Sequence, residues 1–574
     1  ATTASHNTAL GYTALLANTT GAHNTAVGSR SLDANTTGAQ NTGIGDQALS
    51  SNTTGSDNTA VGQSALNNSD TGSENTALGQ ASLASNTSGG SNTAVGVDAL
   101  RANTTASNNT AVGMDALTAN TTGIQNTAVG SLAGASVTTA NYNTLIGYAA
   151  GDALTSGGVN TAVGRAALST CITGNNNTAI GYKALDQTTA SSNTALGTQA
   201  LEANTTRSSN TAIGFKAGMD NTSGEITAVG AQALTDNTTG TGNTAVGYQA
   251  LYQNTTGSAN TAVGNNFSGT IGGPMFANTT GSQNCAFGPG ALYSNTTANN
   301  NTAIGFKALM STTTGNANVA IGSFALDAIT TANSCIGIGV NAATKVTTGN
   351  SNFAIGNSAG DNVTTGSQNI SIGSDALSSI NTGSRNIAIG HTAMSQATGA
   401  THDNIVVGLQ SGYSFNTSNS YYNVAIGNYV LDSATTAHSN NGIGHAALSS
   451  VTTGGGNVAI GIFTMVSATT ANGNTCVGNT AGHDIIDAAE GVCIGNAAGY
   501  SAGNDYVSGT GGIYVGSASQ ASSNNVAREI VLAYNQIGKG TRTFLCGADL
   551  GVYHAGNTTT WTTTSDERIK KNIV

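Results

Sequence analysis

The amino-acid sequence predicts an all-β protein, a parallel β-solenoid of about thirty 17-residue coils. Three observations carry this. A segment of the form N-T-A-V-G returns every 17 residues, beginning at Asn7, Asn24, Asn41, Asn58 and Asn75 and continuing through Asn92, Asn109, Asn126, Asn143, Asn160 and Asn177. Charged residues make up 7% of the chain, against roughly 25% in ordinary soluble domains. Glycine occurs 78 times in 574 residues, whereas proline occurs twice and tryptophan once.

The unit reads N-T-A-V-G-x-x-A-L-x-x-N-T-T-G-x-x, and its slots are numbered here from the first asparagine. Slots two to four make a short strand. Slot four is aliphatic (Leu10, Val27, Ile44, Val61) and slot two drifts from threonine to Val319, Ile387, Val424 and Val458, so period-two alternation places slots two and four on the inward face. Slot three stays small, as Ala9, Gly43, Ala60, Ser371, Cys476 and Cys493, which requires a wall close by on that side. The slot-five glycine supplies a turn with positive φ. Slot nine, usually leucine (Leu15, Leu32, Leu49), adds a second buried group. The N-T-T-G run at slots twelve to fifteen is turn chemistry.

One such unit cannot form a core, but stacked coils pair every backbone amide with the coils above and below. Identical residues then repeat at about 4.8 Å along the axis, and the asparagines of slots one and twelve form amide ladders.

Departures from the period mark interruptions. Copies shorten by one residue before Asn193 and Ile226, and an insertion at residues 265–277, with Pro274 inside it and Pro289 after it, is read as an excursion from the shaft. Further length changes accompany Tyr413, Phe415, Tyr421 and Tyr422.

Composition excludes several functions. A net charge of −11 with no basic stripe offers nothing to nucleic acid, and no stretch of 18 apolar residues predicts membrane insertion. The six cysteines form no disulfide framework or zinc spacing, although Cys476 and Cys493 fall on one slot in adjacent copies, where a bridge or two small core residues are both open. Gly43-Ile-Gly45 and Gly337-Ile-Gly339 are repeat slots rather than nucleotide loops, and Gly538-Lys539-Gly540 reads as a hairpin turn. His402-Asp403 and His483-Asp484 lack a third metal ligand at a fixed offset, and neither Asp361 nor Asp375 finds a glycosidase partner from spacing. No cofactor, no metal and no enzyme activity are expected. The N-x-T sequons at Asn18, Asn35, Asn52, Asn103 and Asn254 are already explained as turns.

The variants at Asn318–Gly322, Asn423–Gly427 and Asn457–Gly461, all N-V-A-I-G, resemble the head repeat of trimeric autotransporter adhesins, over roughly Asn7 to Gly516. That resemblance implies parallel β-rolls assembled as a homotrimer. The ending Thr562-Thr-Thr-Ser-Asp-Glu-Arg-Ile-Lys570-Lys-Asn-Ile573 is similar to the opening of the endosialidase-type intramolecular chaperone family found at the C-terminus of phage tail spikes and fibres. It implies self-cleavage before Ser565, with Ser565 as the cleaving serine, Lys570 as the group accepting its proton, and Thr564 as the last residue afterwards. The segment from Ala527 to Trp561 resembles the β region that precedes such chaperones.

These expectations divide the chain into a repeat shaft at 1–516, a C-terminal β trimerisation region at 517–564 and the start of a chaperone at 565–574. The function they imply is a fibre subunit at a virion surface or other extracellular site, joined to fibre or baseplate components at its N-terminal end and contacting a host-surface glycan or protein. A cellular trimeric adhesin or extracellular filament is the first alternative. The second is an ice-binding solenoid, suggested by the threonine ladder at Thr19, Thr36 and Thr53. A start in mid-repeat at Ala1 leads to the further expectation of preceding residues or end-to-end docking.

Overall fold

The computed structural model describes residues 4–266, 272–416, 419–500 and 507–546, with the backbone of two strands at 552–555 and 562–563. It is an all-β parallel solenoid of about 31 turns, with no helix among the described residues. Two compact units divide it, Ala1–Asn284 and Cys285–Val574.

In the first unit, three-residue strands follow one per coil from β1 (Thr8–Leu10) and β2 (Thr25–Val27) to β16 (Thr261–Val263). Each pairs in parallel with the next at equivalent slots, as in Thr8↔Thr25 and Val246↔Val263. The second unit repeats this from β17 (Cys285–Phe287) to β31 (Ile530–Leu532). Where coils shorten, before Asn193 and Ile226, strand register is kept. Past the insertion, Leu251 N–H donates to Pro274 O and Met275 is buried, so Pro274 and Met275 occupy slots eight and nine and the coil has resumed by then.

Parallel pairing also runs beyond Gly516. β32 (Thr543–Cys546) pairs in parallel with β31, and only then do β33 (Val552–Ala555) and β34 (Thr562–Thr563) turn antiparallel. Gly538-Lys539-Gly540 is therefore a loop within a coil and not the expected hairpin turn. The reason lies at Glu529, which takes the slot-one position: its buried carboxylate accepts from Gly540 N (2.7 Å), Ser522 N (3.0 Å) and the Tyr514 hydroxyl (3.3 Å), which pulls the glycine loop across the coil.

The core contains slots one, three, eight, nine and twelve. In one coil these are Asn24, Ala26, Ser31, Leu32 and Asn35, all buried. This corrects the expected strand facing, because slot three points inward while slots two and four point out. The coil is too narrow for an aliphatic chain from the strand in addition to the slot-nine leucine: at Gly337 even a bare Cβ would lie 2.7 Å from Leu326 Cγ. The slot-nine expectation holds, as does the close wall beside slot three.

Both amide ladders form. In slot one, Asn24 Oδ1 accepts from Asn41 N (2.9 Å), and Asn41 Nδ2 donates to Gly55 O (2.8 Å) within its own coil. In slot twelve, Asn52 Nδ2 donates to Asn35 Oδ1 (2.7 Å) and to Gly55 O (3.0 Å). Burying these amides is tolerable because their donors are used.

Coil closure also demands left-handed backbone at residues other than glycine. Slots seven, nine and seventeen, for example Arg30, Leu32 and Gln40, have φ of 54°, 52° and 58°. Each such residue costs about 1–2 kcal/mol, and at slot nine the burial of the leucine, about 1.5–3 kcal/mol, offsets its own share. At slot five, Gly28 has φ 129° and any Cβ there would meet Gly45 O at 2.5 Å, which excludes every other residue.

Candidate association surface

With slot three turned inward, the outer side of each strand presents slots two and four. No charged side chain occurs at either slot anywhere from β1 to β31. Slot four is aliphatic throughout apart from Phe287 and is half-buried to exposed in the single chain, reaching 47% for Leu78, 38% for Ile321 and 40% for Ile426. A contiguous uncharged apolar strip of this kind is unusual on a surface that meets only water.

The two units differ at slot two. Every strand from β1 to β16 carries threonine there. In the second unit Val319, Ile336, Phe353, Ile370, Ile387, Ile405 and Val424 follow without interruption, so that both outward columns are apolar. This drift, expected from the sequence to face the core, lies on the outer side.

The turn threonines of slot thirteen are committed elsewhere. Thr36 Oγ1 donates to Thr53 O (2.9 Å) and Thr19 Oγ1 to Thr36 O (2.9 Å), so the hydroxyl hydrogens of the expected ladder tie one coil to the next. Asn35, Asn52, Asn103 and Asn254 of the sequons are fully buried with their amide nitrogens donating to neighbours, which closes them to glycan attachment in the folded coil.

The titratable pairs resolve into structural roles. Asp403 receives Arg385 through Nε (2.6 Å) and a second guanidinium nitrogen (2.8 Å), with His402 Nδ1 at 2.7 Å. The Arg385 hydrogen bonds hold its carboxyl down at about 2. His483 contacts Asp484, and no cluster of three or more His, Cys, Asp or Glu side chains able to hold a metal occurs among the described residues. Asp361 and Asp375 lie in adjacent coils at different slots, where burial raises the Asp361 carboxyl, and nothing sets them across a cleft from one another. Cys476 and Cys493 are direct partners on neighbouring strands, both buried and both free thiols. Their mutual hydrogen bond, with burial, raises the Cys476 thiol well above its ordinary value. Ser565 and Lys570 lie outside the described residues.

Charge gives no signal for which side of the strand is free, because both sides of the triplet are uncharged; the signal that was present is the small residue of slot three. No protein-family model matches the chain, and a search of the curated proteins finds no match either.

Proposed function

We propose that the chain is the subunit of a homotrimeric fibre of a virus or phage, whose shaft gives reach and carries attachment to a host surface. The observation supporting this most directly is the uncharged strip of slots two and four. In the second unit about 15 strands at about 4.8 Å carry an apolar slot-four column, and slot two beside it is apolar on all of them except at Cys285, Thr302, Asn441 and Thr475, a long strip suited to an interface between chains. A second copy of the same chain is the fitting occupant, since a repetitive uncharged strip is self-complementary and needs no charged partner. The S-D-E-R-I-K ending supports release by a self-cleaving chaperone acting at Ser565 with Lys570.

Sedimentation equilibrium of the native full chain, with intact mass, tests the reading. A trimer is expected, with chains ending at Thr564 if release has occurred. A monomer defeats it. One observation favours the ice-binding alternative: a threonine column lies on the outer side of strands β1–β16, and not only in the turns. That alternative requires a monomer with this face in water, and thermal hysteresis reads it directly.

A further inference from the structure

Slot six, the corner just after the slot-five glycine, carries a second pattern within the first unit. Tyr148, Tyr182, Phe215 and Tyr248 occupy it in alternate coils, and the coils between them place Arg165, Thr198 and Ala231 there. The four rings stand 53%, 41%, 48% and 41% exposed. Two coils correspond to about 9.6 Å along the axis. The corner is held firmly: Tyr148 O accepts from Ala166 N (3.0 Å), Tyr182 O from Gln199 N (2.8 Å) and Phe215 O from Gln232 N (2.8 Å).

Cations accompany the rings. The Arg165 guanidinium lies 5.9 Å from the Tyr148 ring and 5.8 Å from Tyr182, Lys183 lies 6.0 Å from Tyr182, and Lys216 lies 5.4 Å from Phe215. In a chain with 15 Lys and Arg against 26 Asp and Glu, this places positive charge where aromatic surface is exposed.

We propose that this row binds an extended, β-1,4-linked acidic polysaccharide. The apolar C–H face of a pyranose packs on an aromatic ring. In an extended β-1,4 chain every second sugar turns the same face to one side, so its same-face spacing is one disaccharide, a length close to two coils. Arg165 and Lys216 then meet carboxylates carried along the same chain, whereas Lys183 is held by Glu202 (3.2 Å) and Asp186 (3.8 Å) of the protein itself. A fixed row of rings loses little freedom on binding, which favours a repetitive ligand over a flexible one. This deepens the attachment half of the function proposed above and rests on that reading for its biological setting, while its chemistry is independent of the oligomeric state.

The test is calorimetric titration of the native full chain with three probes: a β-1,4-linked mannuronate hexasaccharide, cellohexaose, which has the same linkage without charge, and an α-1,4-linked galacturonate hexasaccharide, which has the charge on a differently shaped chain. The mannuronate is expected to bind most tightly. Tyr182→Ala and Phe215→Ala should each weaken it about three- to tenfold, and Arg165→Ala should weaken mannuronate while sparing cellohexaose. Failure of all three probes to bind overturns the proposal. So does equal binding of both acidic probes that Tyr182→Ala leaves unchanged, since charge alone would then be responsible. Sedimentation and circular dichroism on the same variants cover the remaining case: a loss of oligomer in Tyr182→Ala or Phe215→Ala with folding intact would make the row a contact between copies and also overturn it. A trimer that binds no probe defeats this inference alone, whereas a monomer that binds mannuronate defeats only the fibre.

Discussion

Leu145 fills the core from slot three in a coil where Gly151 leaves slot nine without a side chain; a Cβ on Gly151 would lie 2.8 Å from Leu145 Cδ2. The same exchange recurs where Val406 faces Gly412 and where Cys476 faces Gly482. One core volume is thus supplied from either side of the coil. Leu145→Ala should cost about 2–5 kcal/mol by leaving a cavity, and Gly151→Leu should cost about 1–3 kcal/mol by overpacking. The double variant should recover most of both losses, because leucine tolerates the left-handed backbone of slot nine elsewhere, as at Leu168 with φ 57°. Urea midpoints of the three variants measure the coupling, and additive losses would show that the two sites do not share a volume.

The slot-twelve ladder has a gap that can be repaired. Asn52 Oδ1 is buried without a hydrogen-bond donor because the next coil presents Ser69, whose hydroxyl is also buried and unpartnered. One coil further, Asn86 Nδ2 donates to Gly89 O (2.9 Å). Ser69→Asn should place an amide between Asn52 and Asn86 and stabilise the protein by about 1–2 kcal/mol. A raised melting temperature supports this, and an unchanged or lowered one refutes it.

Burial pushes the Asp327 carboxyl up to about 6, against the opposing pull of its backbone hydrogen bonds and of Lys307. Between the ordinary value of 3.8 and about 6 the folded state therefore holds a proton that the unfolded chain releases, and stability falls as pH rises through this window. Asp327→Asn should raise stability at pH 7 and lose that advantage near pH 4. Asp403 has the opposite sign: held down at about 2 by Arg385, it contributes stability above pH 3.8 that disappears as pH falls toward 2. Asp403→Asn should weaken the protein at pH 7 and become neutral in strong acid. Thermal melts across pH check both directions.

On the outer face, Ile426→Lys combined with Ile460→Lys should abolish the proposed trimer while each chain keeps its fold, since these side chains contribute to no core of their own coil. Sedimentation reads the dissociation and circular dichroism the fold. An intact trimer carrying both lysines would show that copies do not meet through this strip.

Glu529 and Gly538 make a matching constraint near the C-terminal strands. Any Cβ at residue 538 would collide with the Glu529 carboxylate, which accepts three hydrogen bonds from its surroundings. Gly538→Ala should displace the carboxylate and cost several kcal/mol. Glu529→Gln, which keeps the acceptor oxygen, should cost less than Glu529→Ala. Comparing the three melting temperatures tests the order.

Much of this protein is determined by its sequence alone. The 17-residue period, the two asparagine ladders, the buried leucine of slot nine and the obligatory glycine of slot five each follow from a local rule repeated along the chain, so repetition makes the signal legible. Volume exchange between slots three and nine was also present in the sequence, in pairs such as Leu145 with Gly151, but becomes readable only once those slots are known to face each other. Tertiary structure decided which side of the strand turns inward. A triplet such as Thr-Ala-Val is uncharged on both sides, and only the width of the closed coil, already occupied by leucine, sends alanine in and valine out. It also decided the left-handed backbone at residues such as Leu32 and Arg30, for which no residue type is a signal, because closing the coil imposes that conformation and core packing stabilises it.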